Sequence, residues 1–139
     1  MSGAGLQVSG VNLSYGSQRV LRGIDLEIRP GEFFAFLGPS GCGKTSLLRV
    51  IAGFNQAETG RVLLDGRDIT GLPPWKRDVG LVFQSYALWP HMTVRRNVAF
   101  GLEERRLPRA EVAARAAEAL RLVGLEALAD RYPSQLSGG

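Results

Sequence analysis

Gly38-Pro39-Ser40-Gly41-Cys42-Gly43-Lys44-Thr45 has the residue types and spacing needed to hold a chain of phosphates. Gly38, Gly41 and Gly43 let the backbone turn tightly and bring its N–H groups against phosphate oxygens. A helix starting directly after the loop would point its positive end at the same anion. The Lys44 ammonium reaches outer phosphates, and the Thr45 hydroxyl can ligate magnesium. At average composition this pattern arises by chance in roughly half a percent of chains of this length, so a chance lysine after a glycine-rich turn is the weaker reading. Cys42 lies inside the loop, where a helix amino end and Lys44 both favour its thiolate. It reads either as a small filler residue or as a regulatory cysteine.

The elements around the loop must place it between a strand and a helix. Apolar residues in short polar-interrupted steps, at Leu6, Val8, Val11 and Leu13 and at Val20, Ile24, Leu26 and Ile28, predict strands, with turns at Tyr15-Gly16-Ser17 and Arg29-Pro30-Gly31-Glu32. Phe33–Leu37 has no polar residue, which predicts a strand covered on both faces. Thr45–Ala52 has helical spacing at Leu47, Leu48, Ile51 and Ala52 and is closed by Gly53. Residues 60–70 predict two short strands joined at Asp65-Gly66, and Val79–Phe83 predicts a further strand ending at Gln84. Helical signals follow. Thr93 can cap a helix through Val94, Val98 and Phe100. Pro108 opens another, with Val112, Ala116, Leu120 and Val123 on one face, a Glu111–Arg115 pair and Gly124 as stop. The chain therefore reads as a strand-rich nucleotide-binding core over 1–84 and a helical subdomain over 85–139.

Composition is that of a globular domain, with 45% hydrophobic and 22% charged residues in 139. No apolar run is long enough to span a bilayer, no secretory leader is evident, and one cysteine excludes an internal disulfide. Together these predict a soluble, cytoplasmic protein. The net charge of +4 is spread along the chain. Its densest basic stretch, Arg105-Arg106-Leu107-Pro108-Arg109, is flanked by Glu103, Glu104 and Glu111, which predicts a solvated helix end and no nucleic-acid partner.

Three further segments carry a resemblance: Tyr15, the run Val79–Leu88 with Gln84, and Leu136-Ser137-Gly138-Gly139. In this order they resemble the adenine platform, the Q-loop and the signature motif of ABC ATPases, and the likeness extends from about Leu6 to Gly139. The resemblance implies an α/β fold of the P-loop NTPase class: an N-terminal β subdomain, a RecA-like sheet and a helical subdomain, incomplete at the carboxyl end. It implies ATP and Mg2+ as cofactors. Nucleotide contacts would come from Tyr15, Gly38, Pro39, Ser40, Gly41, Cys42, Gly43, Lys44, Thr45 and Ser46. Lys44 and Gln84 would act in catalysis, Thr45 and Gln84 on the metal, and Gln84 would report nucleotide state to the helical part. Leu136, Ser137, Gly138 and Gly139 would face the ATP held by a second copy in a homodimer.

The stretch Ser85–Val94, followed by Asn97–Leu102, is similar to bacterial importers for sugars, polyamines, ferric iron, sulfate or phosphonates. It implies membrane-spanning permease subunits docked near Tyr86–Trp89, and a peripheral position on the cytoplasmic face of the inner membrane. His91 has no catalytic role in this pattern. The resemblance further implies that the aspartate-ended strand, the catalytic glutamate and the switch histidine lie beyond these residues. None of Glu103, Glu104, Glu111, Glu118 or Glu126 stands where a general base is needed. These 139 residues are thus expected to bind ATP without hydrolysing it, as part of a protein that does hydrolyse it, and to be marginally stable alone. A soluble ABC-type ATPase acting on nucleic acid or the ribosome, and a non-hydrolysing nucleotide-binding module, are the alternative readings. The transported solute is not encoded in these residues.

Overall fold

The computed structural model describes residues 3–85 and 87–136 of the chain. They divide into two compact units, Met1–Leu81 and Val82–Gly139.

In the first unit, strands β1 (Leu6–Tyr15), β2 (Gln18–Ile28), β3 (Thr59–Leu64) and β4 (Arg67–Asp68) form an antiparallel sheet in the order β2-β1-β3-β4. Simple alternation would put Val8 and Val11 on opposite faces. Both are buried, because the β1–β2 register slips between them. Gly10 sits at the slip with φ 59°, and its N–H is taken by the Asp25 carboxylate at 2.7 Å. Asp65 and Gly66, at φ 49° and 76°, make the left-handed turn between β3 and β4 that their residue types predict.

Helix α1 (Lys44–Ala52) packs Leu47, Val50 and Ile51 on the sheet, in one cluster with Val8, Val11, Leu13, Leu21, Val62 and Ile69. Spacings of three and four residues put these three side chains on one face. Leu48, expected among them, falls off that face and is 40% exposed. Gly53, left-handed at φ 85°, ends the helix as expected, and the N–H groups of Gly53 and Phe54 return to the carbonyls of Val50 and Arg49.

Two expected strands are not formed. Residues 33–37 and 79–83 have no strand structure, and Phe33, Leu37 and Val82 are 96%, 92% and 88% exposed. A strand exists through its ladder, and neither segment has a ladder partner among the described residues. Their apolar character signals two covered faces, and that cover is not supplied by the described residues. Phe36 packs partly against the core, edge-on to Phe34 at 5.3 Å between ring centres.

The second unit is a helical pair, α2 (Val94–Glu104) and α3 (Arg109–Leu122). Thr93 caps α2 as its sequence position predicts, its hydroxyl accepting from the Arg96 N–H at 3.4 Å. The N–H groups of Val94 and Arg95 are taken by the carbonyls of Arg131 and Ala129, both at 2.8 Å. Ala99 packs against Val112 and Ala116, with Leu102 and Leu107 at the edge. Glu111 and Arg115 pair at 2.6 Å. Val123 departs from the expected apolar face, being 66% exposed, because α3 ends at Leu122.

Candidate nucleotide-binding site

The loop from Gly38 to Gly43 joins the extended segment after β2 to α1. Gly41 and Gly43 have φ of 82° and 98°, conformations that residues with a side chain rarely adopt. Gly43 also lies against β2. A Cβ there would sit 3.0 Å from Leu21 Cδ2 and 3.2 Å from the Val20 carbonyl oxygen. The close approach fixes the amino end of α1 on the sheet. No side chain caps that end, and its first turn carries no acidic residue. Its first N–H groups and the dipole behind them are therefore available to an anion.

Lys44 folds back over the loop. Its Nζ donates to the carbonyls of Gly38 and Pro39, both at 2.7 Å, and lies 3.3 Å from Cys42 Sγ. The ammonium is thus held inside the bend, where a bound anion would meet it. Its hydrogen bond to the exposed Cys42 is the largest influence holding that thiol below its ordinary pKa, with the charge adding to it. Iodoacetamide should therefore alkylate Cys42 several-fold faster near neutral pH in the native chain than in Lys44→Met. The two rates should converge well above the ordinary thiol range, where both thiols are ionised. Equal rates throughout a pH–rate series would remove the Lys44–Cys42 contact from the account.

Tyr15 ends β1, half-exposed, and meets α1 through its hydroxyl. The O–H donates to Ser46 Oγ at 3.4 Å and accepts from Asn55 Nδ2. The first unit therefore brings together Tyr15, Ser46 and the loop residues Gly38–Thr45, of which Pro39, Ser40 and Thr45 are exposed. Gln84 is exposed and belongs to the second unit. Leu136 is half-buried against Val94, Leu120 and Ala129. Ser137, Gly138, Gly139 and Tyr86 lie outside the described residues.

Three residues that hold these segments in place were not legible from motif spacing. Arg77 is buried and grips α1 from behind. Asn55 contacts Tyr15. Asn97 holds the 89–93 segment: its Oδ1 accepts from the Trp89 N–H at 2.8 Å, and its Nδ2 reaches the carbonyls of Trp89, Met92 and Thr93, each at 3.1 Å. Trp89 is further held against Phe100, with ring centres 5.7 Å apart, while half of it remains exposed.

The donor set suits a polyphosphate carrying a planar base: an ammonium, a free helix amino end and a hydroxyl on Thr45, with the Tyr15 ring tied through its hydroxyl to Ser46 of the same helix. Fold and loop together are those of an α/β protein of the phosphate-loop class. The family model described as ABC transporter matches residues 21–139, and the chain belongs to that family. It is 52% identical over 134 residues to the spermidine/putrescine import ATP-binding protein PotA of Aggregatibacter actinomycetemcomitans, covering 96% of this chain and 36% of that protein. It is 54% identical over 135 residues to the sulfate/thiosulfate import ATP-binding protein CysA of Thermosynechococcus vestitus, covering 97% of this chain and 40% of that protein. A PotA from Thermobifida fusca is 61% identical over 116 residues, 84% of this chain and 30% of its own length. The chain thus spans well under half the length of these relatives. No helix among the described residues is long and apolar enough to cross a membrane.

Proposed function

We propose that this chain binds ATP with magnesium at the Gly38–Ser46 loop and forms the nucleotide-binding part of an ATP-hydrolysing importer subunit. The observation that carries the reading is the Lys44 ammonium held over the loop at an uncapped helix amino end, with Tyr15 linked to the same helix. Backbone N–H groups of the loop and the Lys44 ammonium hold the outer phosphates, while the Tyr15 ring stacks on adenine. The Thr45 hydroxyl would hold the magnesium, which would neutralise phosphate charge when bound. Leu136–Gly139 of each copy faces the nucleotide of the other in a homodimer.

The half-exposed Leu88 and Trp89, with Tyr86, receive the permease subunits at the cytoplasmic face of the plasma membrane. Trp89 suits that role, since Asn97 holds its main chain and Phe100 packs against its ring before any partner arrives. Relatives of similar identity carry different solutes in their names, polyamines in one and sulfate or thiosulfate in the other. The solute is therefore assigned to the partner proteins and not to these residues.

No carboxylate of these residues is assigned as the base that activates water. Three carboxylates of the first unit are engaged in holding the backbone: Asp25 takes the N–H of Gly10, Glu58 that of Ser14 and Asp65 that of Gly5. Calorimetry with magnesium and ATP on the purified chain should give saturable binding, and a phosphate-release assay on the same sample should give no turnover. Absence of saturable binding would remove the cradle. Magnesium-dependent release proportional to chain concentration would place the base among these residues.

A further inference from the structure

We infer that Asn55 is a positioning residue for the base-stacking ring, locking the Tyr15 side chain to the helix that carries the phosphate loop. The inference rests on reading Tyr15 as the adenine platform. A half-exposed tyrosine at a strand end has two soft torsions, and stacking a base on a swinging ring costs side-chain ordering. Here the ring is tied at its far end. Asn55 Nδ2 donates to the Tyr15 oxygen, and the Tyr15 O–H donates onward to Ser46 Oγ at 3.4 Å. One hydroxyl therefore bridges two points on or beside α1.

Asn55 is itself fixed to that helix. The left-handed Gly53 turns the chain back, so that the N–H groups of Phe54 and Asn55 both reach the Arg49 carbonyl, at 2.8 and 3.2 Å. The following residues are stitched to β1 near Tyr15. Glu58 N–H donates to the Asn12 carbonyl at 2.9 Å, and the Glu58 carboxylate accepts from the Ser14 N–H at 2.9 Å. Helix α1 thus sets both distances that a nucleotide must satisfy: Lys44 at its amino end for the phosphates, and Tyr15, through Asn55 and Ser46, for the base. Asn55 never touches the nucleotide. It removes the freedom that the ring would otherwise lose on binding.

The test compares ATP with inorganic tripolyphosphate, which lacks the base, on the whole chain and on Tyr15→Ala, Tyr15→Phe, Asn55→Ala and the double variant Tyr15→Phe/Asn55→Ala. Tyr15→Ala should weaken ATP binding about 5- to 100-fold, the range of a lost stacking contact. Tyr15→Phe and Asn55→Ala should each weaken it about 2- to 10-fold, the range of one hydrogen bond, and the double variant should be no worse than either. Tripolyphosphate affinity should be the same in all five proteins, which also shows that each variant has kept its loop. Native ATP affinity in Tyr15→Phe and Asn55→Ala, with a loss in Tyr15→Ala, would overturn the positioning role and leave the platform standing. Native affinity in Tyr15→Ala would overturn the platform itself. An additive double variant, or equal losses for both ligands, would mean that Asn55 acts elsewhere and would overturn the inference.

Discussion

Replacing Arg77 with methionine should destabilise the first unit by about 2–4 kcal/mol, more than any other single polar substitution there. The side chain is 4% exposed, and its guanidinium is spent entirely on main-chain carbonyls. Nε donates to Leu72 at 2.7 Å, Nη2 to Thr70 at 2.7 Å, and Nη1 to both Val50 and Ile51, at 2.9 and 3.1 Å. The last two carbonyls belong to the final turn of α1, where a cation also meets the negative end of the helix dipole. Burial lowers the guanidinium pKa and Asp68 opposes that shift; arginine stays charged at any working pH.

Methionine fills the volume but leaves these acceptors buried with fewer donors, and lysine offers one point charge where a planar fork spans four oxygens. Arg77→Lys should therefore recover only part of the loss. Gly53 is coupled to the same group, because a Cβ there would lie 2.5 Å from Arg77 Nε. In urea denaturation Gly53→Ala and Arg77→Met should combine to less than the sum of their separate effects. Additive losses, or an unchanged midpoint in Arg77→Met, would show that the guanidinium does not hold the helix.

What the sequence made legible follows from how local each signal is. The phosphate loop, the turn at Asp65-Gly66, the Gly53 stop and the Thr93 cap each depend on a few adjacent residues, and each is where its residue types place it. The segments 33–37 and 79–83 are apolar enough to be strands, but a strand needs a neighbour, and composition does not say whether the neighbour is among the same residues. The slip at Gly10 was hidden for a related reason. Val8 and Val11 break the two-residue alternation, and only the pairing with β2 reveals that a bulge restores both to the core.

Side chains that act over long sequence distances were the least legible. Arg77 lies in the charged run Lys76-Arg77-Asp78, yet two of its partners are 26 and 27 residues away. Asn55 reaches Tyr15 across 40 residues, with no spacing that a motif could encode. Both serve α1, so with Tyr15 of β1 the helix that looks from the sequence like a simple continuation of the loop is tied by groups from three other segments.

Lys44→Met should raise the dissociation constant for ATP by roughly 10- to 150-fold, the range for losing a charged hydrogen-bond partner. Native Lys44 donates to the Gly38 and Pro39 carbonyls, so the variant loses an internal clasp of the loop together with the cation that meets the phosphates. The two losses separate by ligand. Adenosine, which offers only the base and sugar, should bind Lys44→Met as it binds the native chain, because Tyr15 is held through Ser46 and Asn55. Tripolyphosphate should lose as much as ATP. Lys44→Arg should restore little, since a longer planar fork cannot sit inside the same bend. If adenosine affinity fell with that of ATP, the clasp would be holding α1 and the ring as well as the loop. If ATP affinity were unchanged, the ammonium would be only a structural tie between Gly38, Pro39 and Cys42, and the anion would have to be held by the helix amino end alone.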